Sequence, residues 1–244
     1  LLFFTLITSF LLSAQTLPYQ NINLPVEERI KDLVSRLTIE EKLDLLGGTG
    51  FDSKPVLRLG IPAIRMTDGP LGVRWGQATA FPSGISMGAT WDTVLTRKVG
   101  QAMGLETLAK ERDMLLGPCI NIHRVPHGGR NFESYGEDPF LSGRLGVAWV
   151  KGVQQMGVIT STKHFAVNNQ EHERMTINVK VSERAMREIY WPAFETIVKE
   201  ADTWTIMASY NRLNGPYATA NNHLLNEVLK KEWGFRGFVV SDWG

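Results

Sequence analysis

The residues with the greatest chemical reach in this sequence are Asp242, Asp68, Lys163, His164, Arg130 and Tyr210. They offer carboxylates, cations, an imidazole and a phenol. Such a set suits a polyhydroxylated ligand, because sugar hydroxyls both donate and accept hydrogen bonds. A carboxylate held ionised by a neighbouring Lys or Arg can also attack an electrophilic carbon such as an anomeric centre. Trp243, beside Asp242, brings an apolar face on which a pyranose ring can stack. Plainer readings stand next to these. Asp68 in T-D-G-P is a good turn former, Asp242 can serve as a helix cap or in a structural ion pair, and Trp243 can belong to a core. From spacing alone, sugar chemistry and structural roles both remain open.

Other constellations are weaker. His123 and His127 stand four apart, with His164 and His172 farther on, but Pro126 breaks any shared helical face and no H-E-x-x-H occurs, so no metal site is expected. The sequence has no G-x-S-x-G elbow and no Walker loop, which disfavours serine hydrolase and nucleotide chemistry. Two rival readings are a carbohydrate-binding protein with the same polar pocket but no turnover, and a barrel aldolase using Lys163 in a Schiff base. No cofactor is called for. The run GGRNFESYGEDP, with Arg130, Glu133, Glu137 and Asp138 among glycines and aromatics, reads as a structured loop.

These residues must be positioned by something, and the pattern around them says what. IPAIRMTDG, MLLGPCINIHR, GVITSTKHF, TWTIMASYN and FVVSDWG are short apolar runs that end in polar residues: Asp68, then Asn121 and His123, then Lys163 and His164, then Tyr210 and Asn211, then Asp242. Between them lie amphipathic helices. One follows Pro25 through Val26, Ile30, Leu33, Val34 and Leu37. The next opens with a T-x-x-E capping box at Thr38 and Glu41 and closes at Gly47-Gly48. Another runs from Ser182 to Val198 with a kink expected at Pro192, and a last one carries Leu224, Leu225, Val228 and Leu229 up to Gly234. Apolar strands alternating with helices predict an α/β fold with a helix-covered parallel sheet. Polar groups gathered at strand C-termini favour a (β/α)8 TIM-type barrel, and no G-x-G-x-x-G turn supports a doubly wound sheet instead.

Composition sets the outer limits. The 244 residues are 43% apolar and 21% charged with a formal net charge of +1, an ordinary globular balance that gives nucleic acid no electrostatic hold. Cys119 is the only cysteine, so no intrachain disulfide can form. Residues 1–14, LLFFTLITSFLLSA, are uncharged and apolar but short for a membrane span, and end in small residues. They read as a secretory signal peptide lacking its start, which implies export to the periplasm or medium without stable membrane insertion. Residues 15–25 read as an extension and 26–244 as one domain.

Eight stretches carry a resemblance. LTIEEKLDLLGG, MTDGPLGVR, FPSGISMGATWD, GGRNFESYGEDP, TKHFAVNNQEHER, ERAMREIYWPAFE, ASYNRLNG and GFRGFVVSDWG occur in this order over roughly residues 26 to 244. The sequence resembles the N-terminal catalytic domain of glycoside hydrolase family 3, on its β-glucosidase side. The resemblance implies a retaining, exo-acting β-glycosidase, most simply a β-glucosidase acting on terminal β-linked glucosyl residues of glucosides or oligosaccharides, with a β-xylosidase of the same family as the alternative. It makes Asp242 the nucleophile and assigns the sugar hydroxyls to Asp68, Arg130, Lys163 and His164. It also places Arg174 and Tyr210 in the pocket, with Met207 and Trp243 as its apolar wall. The β-N-acetylhexosaminidase branch carries K-H-F-P-G-H-G, whereas this chain reads KHFAVNNQEHER, which disfavours that branch. In the β-glucosidase branch the acid/base Glu comes from a following α/β sandwich domain. The resemblance therefore implies that the proton donor lies outside this chain, that the barrel is incomplete at its C-terminal side, and that the chain alone hydrolyses little.

Overall fold

The computed structural model describes residues 17–243. The apolar stretch 1–14, read from sequence as a secretory leader, lies outside the described residues. The described chain divides into two compact units, residues 17–49 with 54–62 and residues 50–53 with 63–243.

The smaller unit holds helices α1 (Val26–Arg36) and α2 (Ile39–Leu46). The capping box of α2 forms as the sequence indicates: the Glu41 amide donates to Thr38 Oγ1 at 3.2 Å and the Thr38 amide to Glu41 Oε2 at 2.9 Å. Tyr19, Leu37, Val56 and Leu59 are buried together, and the Tyr19 hydroxyl donates to the Leu59 carbonyl at 2.7 Å. The apolar stripe of α1 is only partly used, since Ile30 and Val34 stay exposed while Leu33 packs on this cluster.

The larger unit is built on five parallel strands: β1 (Met66–Asp68), β2 (Met114–Leu116), β3 (Ile159–Phe165), β4 (Thr205–Ala208) and β5 (Phe238–Val240). Their order in the sheet follows the chain without reversal. A doubly wound sheet would reverse at a switch point between two halves. Helices occupy the crossovers. Helix α4 (Thr93–Ala109) follows the short α3 (Gly84–Gly88) and is capped by Asp92, which accepts from the amides of Val94 and Leu95. Helix α5 (Pro139–Gln155) starts on Asp138 with proline in its first turn. Helices α4 and α5 touch backbone to backbone. A Cβ at Gly152 would meet the Arg97 carbonyl and one at Gly100 the Trp149 carbonyl, so glycine is needed at both crossing points. The helix that Ser182 caps runs as α6 (Glu183–Ala185), widens over Met186–Tyr190, and restarts at Pro192 as α7 (Pro192–Ala201). The kink expected at Pro192 is thus an interruption, with proline at the first position of the new helix, where its missing N–H costs nothing. A further wide-turned helix, His223–Glu232, leads to β5.

Strand periodicity decides what reaches the site. Side chains alternate between the faces of a strand. Met66, Met114, Leu116 and Met207 pack on one face, with Ile159 and Val240 against them. Asp68 and Lys163 have the same parity on β1 and β3, and Asp242 continues the parity of Val240. On the opposite face Leu115 and Ile206 join Trp149, Ile197 and Leu224 from the helices in the main core. Strand β3 departs from the apolar expectation: Thr160, Ser161 and Thr162 are fully buried. A hydroxyl network substitutes for apolar packing at Thr160 and Thr162, while Ser161 Oγ is buried without a partner among the described residues. Thr160 Oγ1 donates to Gln154 Oε1 at 2.8 Å, and Thr205 Oγ1 donates to the Thr160 carbonyl at 2.8 Å.

Candidate active site

Asp68 ends β1 and is followed by a loop that folds back over it. Gly72 sits at φ +133°, and a Cβ there would run into the Thr79 carbonyl, so this turn requires glycine. The fold-back brings the Arg74 amide to the Asp68 carbonyl at 2.9 Å and the Arg74 guanidinium to Asp68 Oδ2 at 2.8 Å. Lys163, buried on β3, donates to Asp68 Oδ1 at 2.6 Å. Both oxygens of Asp68 are therefore engaged. Burial pushes its carboxyl up, but the charges of Lys163 and Arg74 outweigh this and hold it below the usual range.

The GGRNFES loop delivers a second ion pair. Arg130 grips Glu133 with two parallel bonds, Nε to Oε1 at 3.1 Å and one terminal nitrogen to Oε2 at 2.8 Å. Beyond β3, Arg174 pairs with Glu171 at 2.8 Å and lies 4.8 Å over the Tyr210 ring, which follows β4. Burial, then the nearby Asp242 carboxylate, raises the Tyr210 phenol and keeps it protonated.

Asp242 lies two residues past β5 and differs from its neighbours. Neither of its oxygens accepts a hydrogen bond among the described residues, and Oδ2 is buried without a partner. Sequence reasoning expected the surrounding cations to hold this carboxyl low. Burial instead raises it to about 6, with the Asp68 charge adding to the rise and Lys163, Arg130 and Arg174 opposing it. It is Asp68, with cations in direct contact, that is held low. Trp243 turns away from the strand at φ +57°, donates from Nε1 to the Gly50 carbonyl at 2.8 Å and packs on Phe51 with ring centroids 5.1 Å apart.

These groups meet in one open cleft of about 330 Å³. Eight residues singled out from the sequence line it: Asp68, Arg130, Lys163, Arg174, Met207, Tyr210, Asp242 and Trp243. His164 does not reach the open space. It is buried, with Nε2 3.7 Å from Asp242 Oδ2. Arg74, Glu133, Phe51 and Leu116 also line the cleft. Arg74 and Glu133 lie within quoted motifs, but sequence periodicity does not reveal which acid each one pairs with.

Three carboxylates face this space. Asp68 and Glu133 have a cation on each oxygen, leaving Asp242 as the one of the three whose oxygens carry no hydrogen-bonded cation among the described residues. The arrangement presents an unencumbered carboxylate beside bound polar groups and an apolar wall. That is the set a sugar ring and its anomeric carbon require.

Residues 48–244 match the Glycosyl hydrolase family 3 N terminal domain. The chain belongs to glycosyl hydrolase family 3. Among its relatives, thermostable beta-glucosidase B of Acetivibrio thermocellus is 49% identical over 229 residues, covering 88% of this chain and 30% of the relative. An exo-alpha-(1->6)-L-arabinopyranosidase of Bifidobacterium breve is 46% identical over 226 residues, covering 86% of this chain and 30% of that protein. The solved structure of beta-glucosidase 3B from Thermotoga neapolitana in complex with glucose superposes with a TM-score of 0.85 at 45% identity, over 88% of this chain and 34% of that one. The family 3 chain described here thus spans about a third of the length of these relatives.

Proposed function

We propose that the protein carrying this chain is an exo-acting, retaining β-glucosidase, with Asp242 as the nucleophile. The observation that carries this reading is the contrast among the cleft carboxylates, in which only Asp242 has no cation bonded to its oxygens among the described residues. Asp242 attacks the anomeric carbon through an oxocarbenium-like transition state, and water resolves the glycosyl-enzyme. Lys163, Arg74 and Arg130 order the Asp68 and Glu133 carboxylates so that their remaining lone pairs and N–H groups meet sugar hydroxyls.

The acid/base carboxyl is assigned to a part of the polypeptide outside this chain. Glu133 is unsuited to that role, because Arg130 occupies both of its oxygens. The relatives' greater length and their named activities support this assignment. The sheet itself is read as an arc of a (β/α)8 barrel. Chain-order strands, helices on one face and a cleft at the strand C-termini all favour that architecture. Export of the protein rests on the apolar residues 1–14.

Hydrolysis of an aryl β-glucoside by the full-length protein, followed by NMR of the first-formed sugar, tests the reading. Release of the β-anomer supports it. Release of the α-anomer, or saturable glucoside binding without hydrolysis, would contradict it. A second glycone is favoured by one observation, the arabinopyranosidase relative at 46% identity. Comparison of kcat/KM on aryl β-glucoside, aryl β-xyloside and aryl α-L-arabinopyranoside separates these substrates.

A further inference from the structure

Two buried atoms at the floor of the cleft lack any hydrogen-bond partner among the described residues, and they face each other: Nε2 of His164 and Oδ2 of Asp242, 3.7 Å apart. What passes between them depends on which ring nitrogen of His164 carries the proton, and Asn121 decides that. Asn121 Oδ1 accepts the His164 amide at 3.0 Å, and Asn121 Nδ2 donates to the His164 carbonyl at 2.9 Å. These two bonds to fixed backbone groups set the orientation of the Asn121 amide. Reversing it would set donor against donor and acceptor against acceptor. With that orientation fixed, Oδ1 also lies 2.9 Å from His164 Nδ1. A bare Nδ1 there would set its lone pair against one of Oδ1 at hydrogen-bond distance, and the buried Cys119 thiol, which also faces Nδ1, is farther off at 3.8 Å, so Nδ1 holds the hydrogen.

We propose that Asn121 is a positioning residue that locks His164 as the Nδ1–H tautomer and so turns an unprotonated Nε2 toward the Asp242 carboxylate. The ring is neutral: burial, then the charges of Lys163, Arg130 and Arg174, keeps it well below the ordinary histidine value. An N–H aimed at Oδ2 would stabilise the ionised carboxylate and blunt it as a nucleophile. A lone pair does the opposite, leaving Oδ2 unstabilised until carbon or a proton reaches Asp242. The other ionisable groups around Asp242 are Lys163, Arg130, Arg174, Asp68 and Tyr210. None of them supplies Oδ2 with a hydrogen bond.

The tautomer can be read without turnover, although its catalytic meaning rests on the glucosidase reading. Full-length protein labelled with ¹⁵N-histidine is expected to show His164 protonated at Nδ1 and bare at Nε2 throughout the pH range of activity. A protonated Nε2 would overturn the proposal, and inactivity of the protein would not affect this readout. In Asn121→Ala the ring is free to donate from Nε2. The acidic limb of kcat/KM then moves down by roughly one pH unit. A purely structural Asn121 would lower kcat/KM and leave the limb in place, which would also count against the proposal. Should Asn121→Ala fail to fold, the wild-type tautomer remains decisive.

Discussion

Lys163 Nζ lies 2.6 Å from Asp68 Oδ1, across the sheet from β3 to β1, with the lysine side chain only 3% exposed. This contact ties two strand ends together and charges the cleft. Replacing Lys163 by Met leaves Asp68 with Arg74 alone and is expected to destabilise the protein by about 3 kcal/mol, the order seen when a buried pair loses one partner. Because the folded Asp68 value is depressed, its contribution is present above its unfolded value, near 3.8, and is lost as pH falls through the folded one. Urea unfolding at neutral pH, repeated in acid, checks both statements. A loss below about 1 kcal/mol at neutral pH would match an exposed pair instead.

Asp242 carries the opposite sign. Its folded value of about 6 exceeds the ordinary 3.8, so the folded state favours the protonated form and loses stability as pH rises from the lower value through the higher. Asp242→Asn removes that penalty and is expected to stabilise the protein at neutral pH by up to about 3 kcal/mol, at 1.36 kcal/mol per unit. With Asp242 as the proposed nucleophile, the same variant is also expected to lose kcat by roughly three orders of magnitude or more. Thermal unfolding and kinetics on one preparation test the pair of effects. Unchanged or lower stability would contradict the burial argument.

On the proposed nucleophilic role, the ionisation of Asp242 also predicts a pH profile. In wild type, kcat/KM is expected to rise with a limb near pH 6 and then level until the proton donor is lost. A rise already complete near pH 4 would mean that the cations, not burial, dominate.

Arg130 holds Glu133 in a fork that lysine cannot reproduce. Arg130→Lys is expected to lower kcat/KM at least about tenfold, mainly through KM. Near wild-type kinetics in that variant would show that a point charge suffices.

Trp243 is anchored at both ends, by its N–H on Gly50 and its ring on Phe51. Trp243→Phe keeps an apolar wall and is expected to raise KM a few-fold, roughly the effect of one lost hydrogen bond. Trp243→Ala removes the wall, and its KM should rise further. Equal effects of the two variants would assign the role to the N–H alone.

Much of the positioning was legible from local pattern. The capping box at Thr38 and Glu41, the break at Pro192 and the polar ends of β1, β3, β4 and β5 are local signals, and each depends on residues within a few positions of one another. Pairings across the chain were not. Arg74 on Asp68 and Asn121 under His164 depend on how the loops fold back, which periodicity does not encode. His164 follows Lys163 in sequence, yet it is buried behind the cleft surface, held there through its amide and ring by Asn121, while Lys163 lines the cleft. The sign of the shift at Asp242 was misjudged for a related reason. Lys163, Arg130 and Arg174 read as cations in the sequence, but their nearness to Asp242 and the burial that outweighs them are properties of the packed fold.

Incubation of the full-length protein with a 2-deoxy-2-fluoro-β-glucoside bearing a good leaving group, followed by peptide mass mapping, tests the role of Asp242 most directly. The expected result is one fluoroglucosyl group per chain, on the peptide containing Asp242, with activity lost in step. A label on another carboxylate, or reversible binding with no label while the enzyme turns over glucosides, would contradict it.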